Sequence, residues 1–340
     1  LDPVPEKNAS AAGRLSVVLA ASTLLASALT LAGWAANIPA LTSWDGSVSQ
    51  MPNNALAVAT ASAALILARL GHSRASLLLG AFTALVAGAT LFEHLSGIDL
   101  GIDTLLLYRE WGQAATTSPG RMGLPSSISL VLLGLSIVLR SRGAAGLAAA
   151  GGLLTMAMAM LSVIGYLFGA DRLYAIPRFT AIAYQTAVML MALSAAVVLS
   201  IPGRQPMKLI LSDSAAALLV RRALPAIVFL PILLGWLLLR GQQSGLFDAA
   251  FEDAALVFIL IVLLAALLWS AAGAIAVHES AVRENRDRLA AMLGSMADAF
   301  VTVDAGWRIA FANDEAAVRF ARPRGELTGR LLWDVLPTGE

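Results

Sequence analysis

Between Leu15 and Val277 the charged side chains sit in, or at the edges of, short gaps, and eight apolar segments fill the rest. They run over about 15–35, 53–69, 75–96, 125–139, 144–168, 181–200, 223–240 and 254–277. A helix needs roughly 20 residues to cross about 30 Å of hydrocarbon. In lipid every backbone N–H and C=O must be satisfied within the protein, so such segments are helices; the short alternating strands of a barrel are absent. The chain is 58% hydrophobic and only 13% charged over 340 residues. That is about half the charge of a soluble domain, too little polar surface to cover a body of this size in water. The fold class expected is an all-α polytopic membrane protein with eight transmembrane helices, its lipid-facing surface partnered by the bilayer.

Charge orients the spans. One set of gaps, with the N-terminal tail, holds 13 basic residues, among them Arg69, Arg74, Arg140, Arg142, Arg221 and Arg222. The other set holds five basic residues and nine acids, including Glu93, Asp99, Asp103, Asp171 and Asp253. The positive-inside rule puts the first set, and both chain ends, in the cytoplasm. An even number of spans requires the same. The first apolar run is longer than a signal-peptide core and has no clean cleavage site, so it reads as a retained span. The chain starts at Leu1 and stops inside a soluble segment, as a piece of a longer product would.

Several function classes recede. A net charge of +1 gives no field to attract nucleic acid. The absence of cysteine excludes disulfides, thiolate metal sites and cysteine catalysis. Mid-span ionisable groups, filter sequences and converging catalytic polar groups are missing, which argues against a transporter, a channel or an intramembrane enzyme.

The chain repeats itself. PNNALAVATASAALILAR (52–69) and PSSISLVLLGLSIVLRSR (125–142) both open on proline with small polar residues and close on arginine, and 184–200 has the same character without the proline. Pro52 and Pro125 are helix-start residues. The spans that follow the first two copies end in HLSGID and YLFGAD. Two helix-pair repeats and an unpaired third copy of the first helix are expected. Gly97 and Gly169 are candidates to end their helices in a left-handed conformation, with Asp99 and Asp171 closing the turns through backbone N–H groups. Glu93 and His94 do not recur, since Gly165 and Tyr166 take their places. The sensing pocket expected from these residues comprises Glu93, His94, Asp99, Asp103, Tyr166 and Asp171. His94 is its one weak candidate for a metal or haem ligand, because a lone histidine falls short of a three- or four-ligand site. No particular cofactor is implied. IDTLLLY (102–108) reads as a short surface helix, and Trp34, Trp44, Trp111 and Trp236 as interfacial anchors.

From His278 the sequence turns polar and strongly helical, with an apolar stripe at Val282, Leu289 and Leu293. This segment, 278–297, reads as a linker that packs as a short coiled coil in a parallel homodimer. Pro231, His278, Leu289 and Leu293 are the expected relay residues, Pro231 by bending its span. The domain plan is a tail at 1–14, a membrane domain at 15–277, the linker at 278–297 and a soluble α+β piece at 298–340. In that piece strands are expected at 299–303 and 307–311, followed by a helix capped by Asn313 or Asp314.

DAFVTVDAGWRIAFAN (298–313), EAAVRF (315–320) and GELTGRLLWDVLP (325–337) resemble the beginning of a PAS domain, through Asp298, Phe300, Asp304, Trp307, Asn313, Leu327, Gly329, Trp333 and Pro337. MPNNALA (51–57), FEHLSGIDLGIDTLLL (92–107), PGRMGLPSSISLVLLG (119–134) and LFGADRLYAI (167–176) resemble the multi-span N-terminal sensor regions of bacterial PAS-containing and hybrid histidine kinases. The resemblance implies a kinase output, or less often a cyclic-di-GMP enzyme, downstream of this chain; ATP and a response regulator would enter only with that output. The phosphoacceptor helix, the ATP lid and the GGDEF motif are absent from the chain itself. A membrane scaffold with a PAS docking module, and a transporter, remain the other readings.

Overall fold

The computed structural model describes residues 4–113, 116, 118–170, 180–294 and 298–336. Two compact units are present, Leu1–Leu263 and Leu264–Glu340. The first is all-helical: α1 (Glu6–Ala35), α2 (Pro52–Arg69), α3 (Ser73–Ser96), α4 (Leu124–Ser141), α5 (Ala145–Phe168), α6 (Tyr184–Leu199), the short α7 (Met207–Leu211) and α8 (Ala215–Gln243). A 46-residue helix, α9 (Ala249–Gly294), runs across the unit boundary. Among the described residues six helices are long and apolar enough to cross a membrane, namely α1, α3, α4, α5, α8 and the first part of α9. This supports multi-pass placement in a bilayer. Helix α6, at 16 residues, is a shorter apolar helix, and α2 is not among the six. The polar Asn53 and Asn54 at the head of α2, and its Arg69 at the end, dilute its apolar run.

Helices α1 to α6 close into a ring of neighbours, with α2, α4 and α6 also touching one another at its centre. The peripheral helices bury one stripe each, and the three stripes match. Ser16, Ala20, Thr23, Ser27 and Thr30 of α1 correspond to Ser76, Gly80, Thr83, Ala87 and Thr90 of α3, and to Ala148, Gly152, Thr155, Ala159 and Ser162 of α5. Spacings of four and three put each set on one seam. Residues this small let helix backbones approach closely where lipid supplies no hydrophobic drive for association. A Cβ on Gly134 of α4 would lie 2.6 Å from the Ala84 amide nitrogen and 2.7 Å from the Gly80 carbonyl oxygen of α3. Helix α1 therefore supplies the peripheral partner of α6, on which it packs. The third copy of the first helix is paired after all, by the chain's first helix rather than by a following one.

Proline placement follows backbone chemistry. Pro52 is the first residue of α2 and Pro125 the second of α4, where a missing N–H costs nothing. Gly97 and Gly169 end α3 and α5 in the left-handed region, at φ 73° and 63°. Helix α8 continues through Pro225 and Pro231. His278, Leu289 and Leu293 fall on α9, which does not stop at 277 but continues to Gly294. Segment 102–108 is not helical, because Asp103 is drawn into the buried contacts below instead of facing solvent.

In the second unit, β1 (Val301–Val303) pairs antiparallel with β2 (Ile309–Ala312), followed by α10 (Asp314–Arg319) and α11 (Arg324–Leu327). Ile309, Ala312, Ala316, Leu327 and Val335 form a small core. Asn313 ties the pieces together. Its Oδ1 accepts from Ala316 N at 2.9 Å, capping α10, and from Phe300 N at 2.8 Å, while its Nδ2 donates to the Asp298 carbonyl.

Candidate functional site

Helices α2, α4 and α6 start at the same end of the bundle, here called the upper end. Each is entered through an extended residue with nearly the same dihedrals: Met51 (−68°, 152°), Gly123 (−61°, 146°) and Ala183 (−70°, 143°). Two residues before each helix begins, a backbone carbonyl is bound by a ring from a peripheral helix. Trp34 Nε1 donates to Gln50 O at 2.8 Å, and Tyr166 OH donates to Ile182 O at 2.6 Å. His94 Nε2 lies 2.9 Å from Met122 O; a carbonyl only accepts, so this nitrogen carries the proton. Trp34, His94 and Tyr166 occupy the same step of the three matched helices. At the step before each stand Gly33, Glu93 and Gly165. A carboxylate thus stands where the other two copies have only hydrogen.

That carboxylate is completely buried. Its Oε1 accepts from Leu100 N at 2.7 Å, which ties the loop after α3 back to its helix. Its Oε2 receives no hydrogen bond from the described residues. Arg121, also buried, fills the space beside it, with Nε 3.6 Å from Glu93 Oε2 and 2.6 Å from Asp103 Oδ2. Asp103 is buried and takes a second bond, 3.1 Å long, from Asn53 Nδ2 at the head of α2. Asp99 is exposed. Its Oδ1 accepts from Gly101 N at 2.9 Å and lies 3.7 Å from an Arg121 Nη. The loop crosses itself at Gly120 (φ +73°), where a Cβ would lie 2.5 Å from the Asp103 carbonyl oxygen. Carboxylate oxygens of Glu93, Asp99 and Asp103 come within 4.8 Å of one another. That spacing suits a cation, and Arg121 supplies one. His94 is turned onto Met122 O.

Beside this cluster lies a neutral polar layer. Gln185 Nε2 donates to Gln50 Oε1 (3.1 Å) and Thr30 Oγ1 (3.2 Å), and Asn54 Nδ2 to Thr186 Oγ1 (3.4 Å). Asn54 Oδ1, Ser126 Oγ and Gln185 Oε1 are buried without a hydrogen-bond partner among the described residues. One such atom stands in the first turn of each central helix, where the Asn54 amide is bound by Asn53 Oδ1 and the Leu124 amide by the Thr180 carbonyl.

Of the residues singled out in the sequence, Glu93, Asp99 and Asp103 meet around Arg121; His94 and Tyr166 are held at separate helix entries; Asp171 lies outside the described residues. Arg121, Asn53 and Gln185 were not singled out. Arg121 had one signal, a basic residue between two glycines in the loop that carries Glu110, Asp103 and Asp99. Trp34 is fully buried and stacked on Trp111 at 4.5 Å, so these two rings pack on each other.

No family model matches the chain, and no characterised protein or solved structure is significantly similar to it. The function must therefore be argued from the site and the architecture.

Burial holds the Asp103 carboxyl above its ordinary value, against the bond and charge of Arg121, which pull it down. A carboxyl raised in the folded state contributes stability that is complete below its unfolded value and is lost as pH rises through the folded value. Acidification from about pH 7 towards about pH 4 is thus expected to tighten the loop at 98–108. Hydrogen exchange of its amides, corrected for intrinsic pH dependence, checks this. Faster opening on acidification would show that ion pairing outweighs burial.

Proposed function

We propose that this chain is the membrane-embedded input region of a bacterial sensor protein, of the PAS-containing histidine-kinase kind. In this reading the chain crosses the bilayer eight times, with α2 and α6 as the two shorter crossings and both ends in the cytoplasm. The upper end faces the periplasm. A signal there shifts the balance between two packings of the loop around Glu93, Asp103 and Arg121, and α9 carries the shift to the α+β unit. The dimer, the PAS identity and the downstream kinase with its response regulator belong to the same proposal.

The observation that carries the reading is the continuity of α9. A helix of 46 residues is about 69 Å long, more than twice the roughly 30 Å hydrocarbon core. Its first part, Ala249–Ser270, is apolar, and its last part carries Glu279, Arg283, Glu284, Arg286 and Arg288 ahead of β1. A helix without an interruption passes rotation or translation along its axis, where a loop would absorb it. The cost of burying Glu93 beside one shared cation marks the loop as the part with most to gain from an alternative packing.

Single cysteines along 281–291 test this in membranes, since the chain has none of its own. The reading predicts disulfide cross-linking between copies with a helical period, and a change of pattern when Arg121→Gln is added. No cross-linking at any position would remove the dimer. A pattern indifferent to Arg121 would remove the relay.

A further inference from the structure

The opposite, lower end of the bundle holds a second site. A cavity of about 170 Å³ lies where α1, α2, α4 and the end of α6 meet. Arg69 of α2 and Arg140 of α4 both line it. The Arg69 guanidinium lies over Gly13, where a Cβ would sit 3.3–3.4 Å from its Nε, Cζ and one Nη. Arg69 is exposed and makes no hydrogen bond or ion pair among the described residues. Arg140 is half-buried, and its Nε donates to Ser200 Oγ at 2.7 Å, while neither Nη group has a partner among the described residues. No described carboxylate pairs with either arginine. The cavity's hydroxyls are committed elsewhere: Ser16 Oγ donates to Ala196 O, and Ser200 Oγ to Val197 O.

Two guanidinium groups facing one small cavity repel each other, and the partly desolvated charge of Arg140 has no carboxylate counter-ion among the described residues. An anion with several oxygens resolves both costs, because the planar fork of arginine matches phosphate geometry with paired N–H donors. The volume is about that of five or six liquid waters and below the roughly 300–1,000 Å³ of pockets that take whole small molecules. It therefore suits a head group and not a nucleotide. We propose that Arg69 and Arg140 form a binding site for a phosphate group, held by N–H donors of the two guanidinium groups, with Gly13 leaving room for the Arg69 guanidinium. The phosphate comes from an anionic phospholipid of the adjoining leaflet or from free phosphate in solution. The site is separate from the upper cluster and does not depend on the sensing role.

The test uses the whole chain, purified in a neutral detergent. Two probes are applied: retention of phosphatidylglycerol read by native mass spectrometry, and the shift of the thermal midpoint with inorganic phosphate. Loss of a charged hydrogen bond to the anion predicts a drop in affinity of about tenfold or more in Arg140→Gln and in Arg69→Gln. Arg142→Gln, at the exposed end of the same helix, should bind like wild type. Gly13→Leu keeps both arginines and fills the space, so it should lose binding even if an arginine variant folds poorly. Lipid retention that the variants lose, without a response to phosphate, assigns the lipid source; a phosphate response that the variants lose assigns the free ion. Absence of both responses in wild type, or equal binding by wild type and the variants, overturns the proposal.

Discussion

Arg121→Met is expected to destabilise the helical unit by about 3–5 kcal/mol, because it strips from two buried carboxylates the one cation that pairs with them among the described residues. Glu93 Oε2 has no hydrogen bond among the described residues, and Arg121 Nε 3.6 Å away is its charge partner. Asp103 would keep only the bond from Asn53. Equilibrium unfolding in mixed micelles gives the size of the loss. Replacing the whole set, as Arg121→Met with Glu93→Gln and Asp103→Asn, should recover most of it, since an amide left in place of a carboxylate carries no charge to desolvate. Arg121→Lys should fall between, with a charge but without the planar fork that reaches both acids. A triple variant no more stable than the single one would mean that Arg121 acts by packing and not by charge.

Gly134→Val carries the second large effect. The α3–α4 contact brings backbone against backbone, and a side chain on Gly134 would meet the Ala84 nitrogen and the Gly80 oxygen at 2.6 and 2.7 Å. Neither atom can rotate away, so the helices must separate, and Ile137 would leave its contact over Gly80. Overpacking of this kind costs about 1–3 kcal/mol for modest additions, with a branched side chain at the upper end. Gly146→Ala is the control. It adds a Cβ with nothing within 4 Å, in a helix, and should stabilise slightly. Equal midpoints for the two variants in thermal unfolding would contradict the close-packed seam.

Hydropathy located the helices because burial in lipid demands long apolar runs, and the turn residues were legible because left-handed backbone selects glycine at 97 and 169. The pairing of α1 with α6 was not legible. Its mark is a stripe of Ser, Ala and Thr, which barely changes hydropathy, and the partners lie at opposite ends of the bundle sequence. The acids of the site were visible as residues, but their arrangement was not. Asp103 sits inside what reads as an amphipathic stretch, and its inward turn depends on Arg121 and Asn53, which are distant in sequence. His94 stood out as a lone histidine in an apolar helix. Its match to Trp34 and Tyr166 emerges only once three different side chains are seen donating to three equivalent carbonyls.

The account rests on both chain ends lying on the cytoplasmic side of an even number of crossings. Single cysteines at Ser10, Ser47, Ser118 and Thr302, probed in intact cells with a membrane-impermeant maleimide, address it directly. Positions 47 and 118 should label from outside, and positions 10 and 302 only after the membrane is opened. Labelling of position 302 in intact cells would contradict the account.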